Sequence, residues 1–170
     1  TLPSNCNVQL VPHVFDSQSH PKPALDQYLR SRYSPAWQQF KPDIVIGASR
    51  SAVTTPLALL TSLHDVPQMS YLSTSTKLDD SKSYPTFLRT IPSDGLVART
   101  IAEAVHGPPF LAKRLSMIYV NDAYGTSYME ALSDACVLFG IQFDSYAFSF
   151  GDQKTIRAAI KAMADARVRY

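Results

Sequence analysis

The feature that most constrains this chain is a regular alternation between short apolar runs closed by Gly or Pro and longer stretches with helical periodicity. Residues 44–46 form an apolar run that stops at Gly47, and Val53, Leu57, Leu60 and Leu63 then recur at helical spacing. Pro56 is read as lying in or near the first turn of that helix, with Ser49 and Ser51 offering N-cap hydroxyls. Val66-Pro67 leads into a strand around Met69 and Tyr71, and residues 87–91 form another, closed by Pro92-Ser93-Asp94. Leu96, Val97, Ile101, Ala104 and Val105 give the next helix its apolar face. After the break His106-Gly107-Pro108-Pro109 the order is strand 115–120, helix 125–139 ended by Gly140, strand 141–148 and helix 155–166. A strand over 8–15 and a helix over 24–33 precede them all. Repeated βα units imply right-handed crossovers and an α/β fold built on a parallel sheet covered on both faces.

Composition supports a folded chain. Its 170 residues are 45% hydrophobic and 18% charged, with 12 Pro and 6 Gly, which excludes a disordered tail, a collagen-like repeat and a coiled coil. The net charge of +2 is spread along the sequence, so no nucleic-acid footprint is expected. No apolar run approaches the roughly 18 residues of a membrane helix. Cys6 and Cys136 are too few for a disulfide framework, and Cys136 reads as a small buried hydrophobe.

Several chemistries lack their motifs. There is no GxGxxG or GxxxxGK[ST], and Gly47-Ala48-Ser49-Arg50-Ser51 lacks the closing glycine of a nucleophile elbow. His13, His20, His64 and His106 are scattered, and each reads as a surface or satisfied structural residue, so no metal site is expected. Asp79-Asp80 reads as turn making. No catalytic constellation emerges, and the chain is expected to be neither an enzyme nor a cofactor carrier.

Hydroxyl-rich turns follow the strands instead. The turn 47–51 opens a helix and aims free amides and a partial positive charge at whatever lies there; Leu72-Ser73-Thr74-Ser75-Thr76 adds neutral donors. Together they suit a carboxylate, although Ser and Thr also gather in loops and caps for local reasons. Asp94 can accept from an ammonium, and Tyr124 in Asn121-Asp122-Ala123-Tyr124-Gly125 can offer a ring face to an amine.

The stretch Pro67-Gln68-Met69-Ser70-Tyr71-Leu72-Ser73-Thr74-Ser75, then Leu78, Asp80 and Tyr84-Pro85-Thr86-Phe87-Leu88-Arg89-Thr90-Ile91-Pro92-Ser93-Asp94, resembles the signature of the receptor family ligand-binding region. This is the type 1 periplasmic-binding-protein-like fold of metabotropic glutamate, GABA-B and natriuretic peptide receptors and of bacterial amino-acid binding proteins. Residues 44–53 and 120–127 match the flanking motifs, and the resemblance covers about residues 8–165.

The resemblance implies two α/β lobes that close on a small ligand, with lobe 1 over 1–107, a crossover at 108–114 and the start of lobe 2 over 115–170. It places the family's first strand and helix before Thr1 and the rest of lobe 2 after Tyr170. Ser51, Leu72, Thr74, Asp94 and Tyr124 fall on ligand-binding positions: Thr74 toward an α-carboxylate, Leu72 through its backbone, Asp94 near an α-amino group, and Tyr124 over the ligand. The implied protein is the extracellular part of a membrane-anchored receptor that senses an amino acid and dimerises through lobe 1. A periplasmic substrate-binding protein of a transporter is the alternative. Two departures stand out. Arg50 sits among positions that are usually small, where it either forms a salt bridge or selects an acidic ligand, and Ser19-His20-Pro21 replaces a Cys before Pro in many receptor members.

Overall fold

A computed structural model describes residues 9–36 and 41–166. The chain is an α/β protein with parallel strands. Its elements in order are α1 (Pro21–Tyr33), β1 (Val45–Ile46), α2 (Ser51–Leu63), β2 (Gln68–Ser70), a 3-10 turn (Thr76–Asp79), β3 (Phe87–Arg89), α3 (Asp94–His106), β4 (Arg114–Val120), α4 (Ala123–Leu138), β5 (Gln142–Phe148) and α5 (Gln153–Asp165). The strands form two sheets, β1-β2-β3 and β4-β5, and every pairing is parallel.

The first sheet is organised by its row parity. Val45 and Gln68 share one face and are buried, and Ser70 follows on that face two residues on. Against it pack α1 and α2, in a core of Ala24, Tyr28, Val45, Val53, Leu57 and Val66. A clasp fixes the two helices: Tyr28 and Tyr33 on α1 meet the two ring nitrogens of His64 at 3.1 and 2.8 Å, and the Tyr28 ring stacks on the imidazole. The opposite row, Ile46, Met69 and Leu88, corrects the expectation of a sheet covered on both faces: Ile46 is 73% and Leu88 54% exposed. Both described helices of this part lie on the other side.

The second core joins α3 and α4 with the sheet β4-β5. Ala98, Ala102, Leu132, Ala135, Cys136 and Ile141 are buried together, with Leu115, Met117 and Phe143 of the sheet packed on them. From the alternate row Arg114 bonds Asp144 at 2.6 Å and the Ala166 carbonyl just past α5 at 3.2 Å, and α5 packs along β5. This sheet therefore has helices on both faces. Helix α3, which precedes the Gly107-Pro108-Pro109 break, shares its core with the elements that follow the break. The β4–α4 turn is tight enough to demand glycine: a Cβ on Gly125 would lie 1.9 Å from the Val120 carbonyl oxygen.

Three local expectations are corrected. Val8 lies outside the described residues, and 9–15 form no strand and are exposed: Pro12 has no N–H for a ladder, and no sheet edge among the described residues pairs with this stretch. Arg50, rather than Ser49 or Ser51, occupies the N-cap position of α2, with no capping hydrogen bond from its side chain. Pro56 lies inside α2 beyond the first turn. Cys6 lies outside the described residues, whereas Cys136 is buried, and burial raises its thiol pKa.

Candidate functional site

The turn after β1 is held in place by hydroxyls and one amide. Gly47 adopts φ +124°, a conformation that side chains strongly disfavour, which redirects the chain out of the strand. Its carbonyl accepts from Gln68 Nε2 at 2.7 Å, while Gln68 Oε1 accepts from Thr61 at 3.1 Å. The next carbonyl, Ala48, has the Thr54, Ser70 and Ser73 hydroxyls at 3.0, 2.6 and 3.2 Å; Thr54 and Ser73 stand 2.6 Å apart, and as each has a single proton, one of the two donates to Ala48 and the other to that hydroxyl. Thr54, Gln68, Ser70 and Ser73 are all fully buried, so each bond avoids a desolvation cost of about 1–3 kcal/mol for an unpaired group.

A second layer connects this turn to α3 and α4. The Ser75 N–H donates to Ser51 Oγ at 3.4 Å, and Arg89 donates to the Ser75 carbonyl at 3.0 Å while pairing with Asp79. The Asp94 N–H donates to the Thr74 carbonyl at 2.8 Å. From α4, Ser127 Oγ accepts the Thr76 N–H at 2.8 Å and approaches Asp94 Oδ2 at 3.4 Å. Asp94 opens α3, where the helix dipole favours a negative charge. Its side chain is buried, and that burial raises its pKa, with the Thr74 and Ser127 hydroxyls and Arg89 drawing it back. Burial lowers the Arg89 pKa, which Asp94 opposes.

The five residues singled out in the sequence divide accordingly. Ser51 is buried and engaged with Ser75. Thr74 Oγ1 is shielded from solvent; it lies near enough to the Asp94 carboxylate to help lower its pKa but makes no hydrogen bond of good geometry among the described residues. Asp94 stands beside it. Tyr124, on the first turn of α4, is 46% exposed, and burial of part of its ring raises its pKa, with the Asp94 and Asp122 carboxylates adding to the rise. The Leu72 side chain points outward; its N–H goes to Ser70 Oγ at 3.4 Å. Arg50 resolves one of the two departures: it bonds Asp122 at 2.8 Å. Residues not anticipated as part of this arrangement are Thr54, Gln68, Ser70, Arg89 and Ser127, whereas Ser73 belongs to the hydroxyl turn already singled out. A separate shallow groove of about 370 Å³ between α3 and α4 touches the cluster only at Thr76 and Gly95.

This hydroxyl-rich cluster, at the carboxyl ends of parallel strands with one buried carboxyl, is suited to hold a polar ligand by neutral donors. The sequence matches the family described as the receptor family ligand binding region over residues 3–169. The chain belongs to that family. Its α/β architecture is the periplasmic-binding-protein-like fold of this ligand-binding region. It is also similar to the extracellular calcium-sensing receptor of Mus musculus, at 28% identity over 131 residues, covering 74% of this chain. The chain spans only 12% of that receptor's length.

Proposed function

We propose that this ligand-binding region is the extracellular sensing part of a membrane receptor and takes an amino acid or similar small zwitterion at Ser51, Leu72, Thr74, Asp94 and Tyr124. The observation that carries the reading is Thr74 Oγ1, a shielded hydroxyl with no hydrogen bond of good geometry, beside the buried carboxyl of Asp94. A shielded hydroxyl held by no bond of good geometry gains from a better acceptor, and a ligand carboxylate accepting from Thr74 supplies one while its ammonium meets Asp94. Neutral donors hold the anion reversibly. Tyr124 adds a ring face to the ammonium.

Binding is coupled to closure of two lobes, because a ligand that touches both favours the closed arrangement. Core membership supports a division between β3 and α3, at residues 90–93, in place of the break at Gly107. The name of the murine relative supports an extracellular receptor in preference to an enzyme. Membrane anchorage of the parent protein and dimerisation through lobe 1 belong to the same proposal.

A thermal-shift screen of L-amino acids on the ectodomain that carries this chain, with calcium as a separate arm, tests it. A true ligand at a hundredfold excess over Kd raises the midpoint by about 5–10 °C, and Thr74→Ala abolishes most of that gain. No shift with any amino acid, or a shift that survives Thr74→Ala, sinks the assignment.

A further inference from the structure

Arg50 occupies a position where it helps its own helix least. A cation at a helix N-terminus opposes the dipole, and arginine at an N-cap satisfies none of the free amides. Its guanidinium instead crosses to the other core. Nη2 donates to Asp122 Oδ2 at 2.8 Å, and the guanidinium carbon stands 5.8 Å from the centroid of the Phe150 ring, in the turn after β5. Asp122 is meanwhile the N-cap of α4, its Oδ1 accepting the N–H groups of Tyr124 and Gly125 at 3.0 Å each. The pair is partly withdrawn from water, with side-chain exposures of 38% and 19%.

We propose that Arg50 is a built-in clasp, a tethered cation that holds the α2 and α4 ends of the site together before any ligand arrives. The local cost of a charge at the start of α2 is offset only when Asp122 and Phe150 are in reach, so the residue favours the closed arrangement over the open one. Closure achieved in this way is closure that a ligand no longer has to supply. The last point rests on the ligand-binding reading above; the clasp itself does not.

The test is a spin-label distance measurement between Leu63→Cys on α2 and Ile160→Cys on α5, both exposed positions, with Cys6→Ser removing the competing thiol outside the described residues. Without ligand, Arg50→Ala and Asp122→Asn are expected to raise the open population roughly fivefold, the second while keeping a capping side chain on α4. Arg50→Lys gives an intermediate value because it keeps the charge and loses the planar fork. Raising salt on the unsubstituted chain moves the distribution in the same direction and needs no variant to fold. A distribution that ignores both substitutions and salt overturns the clasp. So does an Arg50→Ala protein that loses affinity for dicarboxylic ligands alone, since Arg50 would then serve the ligand. Failure of every amino acid to bind, with the distances still responding, removes the proposed ligand and leaves the clasp standing.

Discussion

The two cores of this chain are built on different physics. Around the two- and three-residue strands β1, β2 and β3, the apolar core is joined by a dense set of buried polar side chains on β2, α2 and the turn after β2: Ser51, Thr54, Thr61, Gln68, Ser70, Ser73 and Ser75. Around β4 and β5, strands of seven residues carry a core of Ala98, Ala102, Leu132, Ala135, Cys136 and Ile141. The first region fixes its turns by directional bonds, each of which specifies one arrangement and is costly to break. The second is held by dispersion and burial, which tolerate changes of shape as long as volume is kept. The site sits where the directional part meets the helices of the apolar part.

The sharpest way to break this contrast is at the tight turn between β4 and α4. In Gly125→Ala the new Cβ meets the Val120 backbone at 1.9 Å, and no side chain can give way there. A loss on the order of 3–5 kcal/mol in urea unfolding is expected, and a loss below 1 kcal/mol would show that the β4–α4 turn can move.

A matched pair of swaps then compares the two cores directly. Leu132→Met keeps volume in the second core and is expected to cost under about 1.5 kcal/mol. Gln68→Met keeps similar volume in the first but strands the Gly47 carbonyl, and should cost about 2–3 kcal/mol. Equal costs measured by denaturant midpoints at constant m would remove the distinction.

The smallest effect is a pH dependence confined to the α1–α2 clasp. Burial, and then the Arg32 charge, hold the His64 imidazole below its ordinary 6.5. Its contribution to stability is therefore present above about pH 6.5 and is lost as pH falls through the depressed folded value. Unfolding midpoints should drop over that window, with a shallower drop in His64→Gln. An unchanged slope in the variant would assign the acid sensitivity elsewhere.

Much of the fold was legible because its signals are local. The helix 125–139 and the strands 115–120 and 141–148 are expected within two residues of where α4, β4 and β5 stand, since Gly140 and the Asn121-Asp122 turn mark their ends chemically. Residues 9–15 have strand composition, but a strand exists only when an edge pairs with it, and that is decided by tertiary structure. The site divides in the same way. Ser51 and Asp94, at the first positions of α2 and α3, and Thr74 in the turn after β2 carry hydroxyls and an acid that are visible in sequence. Ser127 lies in the second turn of α4 with no local mark of a role, and the partner of Arg50, Asp122, is 72 residues away, so only folding identifies these partners. The Arg50 departure was the available signal, because a bulky cation among small turn residues needs a partner.

The buried hydroxyls also have a property that amides and carboxylates lack. In the 2.6 Å bond between Thr54 and Ser73 either oxygen can be the donor, because whichever is left over donates to the Ala48 carbonyl. The same heavy-atom positions therefore serve both directions of this bond. A new acceptor or donor placed against one hydroxyl can reverse the O–H orientation of its neighbour without displacing a single carbon, so this part of the molecule combines a rigid shape with a rewritable pattern of protons.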